Sequence, residues 1–201
     1  VDFDPQRGYS SPDDPFTPIT AIGVYLQWMD AMVCLAVPPK TLTWEQAQEV
    51  VKPLPEVMLF RTEKEMLDTF LEMIDDVDVI SGWNSEGYDI PYIVNRITKT
   101  MGKAETRRLC LMKKLPKARS YEKYGNEVNT YDLIGRIHLD YLELYRKYNY
   151  EERHSYRLDY IGEMEVGEKK VPYEGSLDRL YNHDFLKFCE YNIQDVMLLD
   201  K

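Results

Sequence analysis

The chain has 201 residues, with 25 Lys and Arg against 35 Asp and Glu and a formal charge of −10. That length suits one α/β domain, and 44% apolar with 30% charged residues describes a globular chain, not a disordered one. The longest apolar run, Ala31 to Val37, is too short for a membrane span, and no signal-peptide pattern opens the chain. Cys34, Cys110 and Cys189 form neither a CxxC pair nor an even framework, which points to a reducing compartment and away from structural zinc. The acidic balance argues, at first sight, against a nucleic-acid partner.

Residues 1–18, rich in Pro, Asp, Ser and Gly, read as a loop. A strand is expected over Ile19 to Trp28, with Val33 to Val37 as its hairpin partner. Trp44 to Val51 reads as a short helix and Val57 to Arg61 as a third strand. Thr62 opens a helix, because Glu65 completes a capping-box pattern and Met66, Leu67, Phe70, Met73 and Ile74 follow at helical spacing. Val77 to Ile80 reads as a short strand of the buried type, broken by Gly82, and a helix follows from about Pro91 to Met101.

Residues 103–123 differ in character, with eight basic residues against two acids. The pair Gly125-Asn126 is a turn signal, so residues 103–130 are expected to include a projecting β-hairpin. A strand around Tyr131 to Ile137 should lead into a helix over Leu139 to Tyr148, and the last third should be helical, ending in a segment from about Asp184 past Leu199. Alternating strands and helices with an early hairpin imply an α/β fold with a mixed sheet. The chain starts at Val1 without an initiator Met and stops at Lys201 inside a helical pattern, so it is expected to be part of a longer polypeptide.

No P-loop, GxGxxG, HExxH or GxSxG pattern is present, and His138, His154 and His183 are scattered. The informative feature is a set of carboxylates where apolar elements end. Asp89 stands at the start of a helix, where dipole stabilisation alone accounts for an acid. Asp195 sits in an apolar helix with Tyr191 four residues earlier on the same face, a spacing that a Tyr–Asp hydrogen bond also explains. Asp140 and Asp159 read as ordinary acids beside apolar stretches. Converging carboxylates without His or Cys suit hard cations such as Mg²⁺ or Mn²⁺, and two such ions can hydrolyse a phosphodiester.

The segment SGWNSEGYDIPYIVNR at 81–96, followed by YNIQD at 191–195, resembles the second and third exonuclease motifs of family B DNA polymerases. The likeness is greatest to replicative polymerases of large tailed bacteriophages, and LIGRIHLDYLELYRKY and SYRLDYIGEMEVGEKKVPYEG are similar to the connecting segments of that domain. The resemblance runs from about Pro18 to Lys201. It implies a ribonuclease-H-like α/β fold, a mixed sheet flanked by helices, that removes mispaired nucleotides from a primer 3′ end. By resemblance, Asp89 and Asp195 are metal-binding, Tyr191 orients the attacking water, and Lys170 stands where phage relatives place an active-site Lys.

The same resemblance implies that Asn84 and Tyr88 contact single-stranded DNA, and that Lys113, Lys114, Lys117 and Arg119 belong to a DNA-facing hairpin that helps part primer from template. A solvated charged surface is the ordinary alternative for that basic segment. Expected partners are the single-stranded primer 3′ end and a polymerase domain of the same longer chain, with no membrane, in the cytoplasm of a phage-infected bacterium.

One motif departs from the pattern. The family's first motif, Asp-x-Glu on a hydrophobic strand, has only Asp2-Phe3-Asp4 as a counterpart here. The expectation is that this motif and its strand precede Val1, that Asp2 and Asp4 are loop acids, and that the fragment itself has little exonuclease activity. A relic that serves as a DNA-binding scaffold, or a free-standing nuclease of the same fold, are the alternatives. Residues 103–123 account for +6, so the remainder carries −16. Charge therefore excludes a free-standing, charge-driven DNA binder without excluding DNA.

Overall fold

The computed structural model describes residues 1–123 and 125–201; Tyr124, within the expected hairpin, and the side chains of Lys123 and Asn126 lie outside the described residues. In chain order the elements are β1 (Ala21–Leu26), β2 (Ala31–Ala36), α1 (Trp44–Val51), β3 (Val57–Leu59), α2 (Glu63–Met73), β4 (Val79–Gly82) and α3 (Asp89–Thr100). They are followed by β5 (Lys117–Lys123), β6 (Asn126–Asp132), β7 (Ile137–Asp140), α4 (Tyr141–Tyr148), α5 (Leu158–Val166), α6 (Leu177–His183) and α7 (Phe185–Asp200). Two compact units result: Val1–Phe3, Ile19–Met66 and Arg153–Lys201 form the first, Asp4–Pro18 and Leu67–Glu152 the second. The α/β class with a mixed sheet is as the sequence implies.

In the first unit, β1 and β2 pair antiparallel in the register Ala21↔Ala36 to Leu26↔Ala31, and β3 joins β2 in parallel. A 3₁₀ turn over Gln27–Met29, closed by Asp30 in the left-handed region, links the first two strands and leaves Trp28 and Met29 exposed. The core joins Cys34 and Ala36 of β2 to Val51 of α1 and to Leu180, Tyr181, Phe185, Phe188 and Cys189 of α6 and α7. Tyr181, Phe185 and Phe188 stack or tilt at 5.0–6.1 Å, an arrangement that favours aromatic quadrupoles. Caps punctuate the helices: Thr43 and Gln46 form a reciprocal capping box at α1, Ser176 caps α6 and Asp184 caps α7.

In the second unit, β4 and β7 pair in parallel, and β5 and β6 form the expected antiparallel hairpin. The conformational freedom of glycine is used at the hairpin end by Gly125, whose φ is +77°. Asn126 already belongs to β6, so of the Gly-Asn pair only Gly125 lies outside the strands. The basic stretch is composite: a 3₁₀ helix covers Lys103–Leu109, and only its last residues enter β5. The loop 4–18 is fastened to α3, since the Tyr92 hydroxyl donates to the Thr17 carbonyl (2.7 Å), Arg96 donates to the Pro15 carbonyl (3.0 Å) and Asn95 to the Pro12 carbonyl (2.8 Å).

Three local expectations change. The stretch 131–137 is not one strand: it holds the end of β6, a turn at Gly135 with φ +88°, and the first residue of β7. Helix α4 begins at Tyr141, not Leu139, because the Asp140 side chain accepts from the Leu142 N–H and caps it. The Val77–Ile80 strand runs instead over Val79–Gly82 and is not fully buried; Val79 is 46% exposed, and β7 is the partner strand of β4 among the described residues. No described helix is long and apolar enough to cross a membrane.

Candidate functional site

In the first unit, α7 presents Tyr191 and Asp195 one helical turn apart, and the segment after α5 brings Lys170 to both. The Lys170 ammonium donates to Asp195 Oδ2 at 2.7 Å and to the Tyr191 hydroxyl at 3.2 Å. Tyr173 packs edge-on against the Tyr191 ring at 5.2 Å. The neighbouring Lys169 turns away from this group and pairs with Glu163 (2.6 Å).

Charge at this triad follows from its burial. Burial raises the Asp195 carboxyl above its ordinary value, and the Lys170 ammonium opposes that rise. Burial, the largest single influence, would lower Lys170, but the charge and hydrogen bond of Asp195 together with those of Tyr191 outweigh it and hold Lys170 protonated. Burial followed by the Asp195 charge raises Tyr191, so its hydroxyl keeps its proton at neutral pH. The two carboxylate oxygens differ: Oδ2 is bonded to Lys170, whereas Oδ1 is buried and has no hydrogen-bond partner. A buried anionic oxygen without a partner is costly unless something binds it. Such an atom fits a hard, oxygen-seeking cation.

In the second unit, the loop between β4 and α3 carries Asn84, Tyr88 and, at the first residue of α3, Asp89, all exposed. Gly82 lets this loop fold tightly, since a Cβ there would lie 2.7 Å from Ser85 Cβ. Asn84 adopts φ +57°, a left-handed conformation that Asn tolerates better than most residues. Tyr88 stacks on Tyr92 at 5.6 Å, and burial of its base pushes its hydroxyl up to about 12. Asp89 occupies the first turn of α3, where the helix dipole favours a negative charge.

This loop is tied down by Asp140 and His138, which sequence patterning does not single out as functional, and by Arg119 of the basic segment. Asp140 Oδ1 accepts the Asn84 N–H (2.9 Å) and the Leu142 N–H (3.0 Å), and Oδ2 accepts the Glu86 N–H (3.0 Å). Ser85 Oγ meets His138 Nε2 at 2.8 Å, and burial lowers His138 so that it stays neutral. Glu86 extends to Arg119 of β5, which also donates to Asp132 of β6 at 2.9 Å. The one available signal is Asp140 immediately before a helical pattern, and it marks the cap without revealing the loop.

The remaining expected residues are spread out. Lys113 pairs with Asp75, and Lys114 and Lys117 are exposed. Asp4 accepts from the Gln6 and Arg7 N–H groups and so shapes its own turn, as a loop acid would, and Asp2 accepts from the Phe3 N–H. Among the described residues, no group of three or more His, Cys, Asp or Glu stands together as a ready metal site.

Residues 5–161 match the sequence model of the family described as DNA polymerase family B, exonuclease domain. The DNA-directed DNA polymerase of Escherichia phage RB69 is 36% identical over 142 residues, covering 69% of this chain and 16% of the relative. That of Enterobacteria phage T4 is 30% identical over 141 residues, again 69% and 16%. A DNA polymerase of Bombyx mori nuclear polyhedrosis virus is 31% identical over 148 residues, covering 71% and 15%. The chain thus spans about one sixth of the length of these relatives.

Proposed function

The chain belongs to the exonuclease domains of family B DNA polymerases, and from that premise we propose that it removes nucleotides from the 3′ end of single-stranded DNA as the proofreading part of a longer polymerase. The observation that carries this reading is Asp195: a buried carboxylate with one oxygen held by Lys170 and the other without a partner, one helical turn after Tyr191. Asp195 in the first unit and Asp89 in the second are each read as a residue that would hold Mg²⁺ or Mn²⁺. Such ions, when bound, acidify a water and stabilise the leaving 3′-oxygen.

The chain's own residues supply the rest. Tyr191 keeps its proton and accepts from Lys170, so its hydroxyl can hold a water in line with the scissile bond. Lys170 remains cationic beside Asp195 and offsets negative charge that gathers on the phosphate. The exposed ring of Tyr88 offers a stacking surface for a terminal base, and Asn84 offers an amide to the same strand. The hairpin β5–β6, with Lys117 and Arg119, is read as the element that meets the primer–template junction.

The test is degradation of a 3′-labelled single-stranded oligonucleotide by the whole natural protein with Mg²⁺ or Mn²⁺. Asp89→Ala and Asp195→Ala should each abolish release of the terminal nucleotide. Undiminished release in the double variant overturns the reading.

A further inference from the structure

We propose that Asp140 is a positioning residue that holds the loop bearing Asn84 and Tyr88 in its DNA-receiving conformation, an inference that rests on the exonuclease reading above. Asp140 is 7% exposed, and both of its oxygens are engaged by backbone N–H groups. Oδ1 bridges two segments, the loop at Asn84 and the start of α4 at Leu142, while Oδ2 takes Glu86. A carboxylate that accepts several backbone N–H bonds makes charge-assisted contacts stronger than neutral ones. Both oxygens of Asp140 are engaged by backbone N–H groups, whereas Asp195 Oδ1 has no partner, which separates the role of Asp140 from that of Asp195.

What Asp140 fixes is a conformation that would not persist alone. Asn84 stands at φ +57°, where a non-glycine residue is held only if its surroundings dictate it. The Asn84 carbonyl accepts from the Gly87 and Tyr88 N–H groups at 3.2 Å, so the orientation of Asn84 sets the start of α3 and with it Tyr88. Ser85, bonded to His138, repeats the attachment from the same strand two residues away. The loop is thus registered on the end of β7, and the two side chains read as DNA contacts stand on either side of the fixed residues 85 and 86.

Two substitutions separate this role from helix capping. Asp140→Ser keeps an oxygen able to cap α4 but is too short to reach the loop. Asp140→Asn keeps the shape and one acceptor, and loses the acceptor for one loop N–H. In the whole natural protein, both should weaken binding of a single-stranded oligonucleotide about tenfold, raising KM with kcat changed far less. Amide hydrogen exchange should show Asn84 and Glu86 losing protection while Leu142 keeps it in Asp140→Ser. Asn84→Ala and Tyr88→Ala serve as direct probes of DNA contact. If they weaken binding and the Asp140 variants do not, the positioning role is overturned and the exonuclease reading stands. If neither pair affects binding, the reading of this loop as a DNA site fails, and the role of Asp140 fails with it.

Discussion

Gly23→Ala offers a sharp test of how β1 supports the functional helix. A Cβ at Gly23 would lie 2.6 Å from Asn192 Oδ1 and 2.7 Å from Val196 Cγ2, both on α7. Carbon–carbon contacts settle near about 3.5–4.0 Å, so the strand and helix would have to part by about 1 Å. The helix cannot yield freely, because its earlier turns seat Phe185, Phe188 and Cys189 in the core. Overpacking of this kind costs about 1–3 kcal/mol, or about 2–4 °C in Tm for each kcal/mol in a chain of this size. Asn192 and Val196 each follow directly on the residues of interest, so a retreat of α7 moves Tyr191 and Asp195 relative to Lys170. Urea denaturation should show a lower midpoint at unchanged m, and the rate of 3′ release should fall with it. Val196→Ala removes the nearer methyl group, and on that background the cost of Gly23→Ala should shrink by at least about 0.5 kcal/mol. A neutral or stabilising Gly23→Ala would refute the close approach, since Ala otherwise gains over Gly in a strand.

Further expectations concern charge. Lys170→Met leaves the buried Asp195 carboxylate without its cation and should cost about 1–3 kcal/mol in denaturation; adding Asp195→Asn should recover part of that loss, and a stable single variant would contradict the pairing. His138 is held below its ordinary 6.5 by burial, so the unfolded chain takes up the proton first. Its contribution to stability is complete above about pH 6.5 and is lost as pH falls through the lowered value. His138→Gln should flatten the pH dependence of stability in that window, and an unchanged slope would count against a buried neutral imidazole. Arg119→Ala removes half-exposed ion pairs to Glu86 and Asp132 and should cost under about 1 kcal/mol globally, yet speed amide exchange across β5–β6; equal exchange would mean the pairs do not hold the hairpin.

The elements with strong local signals are legible in the sequence. The Thr62–Glu65 capping box opens α2 through the reciprocal bonds expected of it, at 3.2 Å each way. The apolar spacing of Met66, Leu67, Phe70 and Ile74 corresponds to buried positions. Misreadings arise where a strand is inferred from composition alone. Val79 looks interior by residue type, but its exposure depends on what lies across it. Tyr131 to Ile137 reads as continuous strand because Gly135 does not announce, from the sequence, that its backbone turns.

The same limit governs the carboxylates. Asp140 and Asp195 are both acids beside apolar stretches, and apart from Tyr191 one turn before Asp195 little in the sequence ranks one above the other by chemistry. What separates them is the number of N–H donors that the fold brings to each. Asp140 stands where β7 ends, the β4–α3 loop passes and α4 begins, so three backbone donors converge on it. Asp195 lies in the middle of α7, where backbone donors are already committed within the helix, so only side chains can reach it. Lys170 does so at Oδ2, and Oδ1 is left over. A carboxylate at a crossing of backbone segments is consumed by structure, whereas one on a helix interior keeps capacity for a ligand. That difference is set by topology, and the motif resemblance locates Asp195 because it carries topology along with residue type.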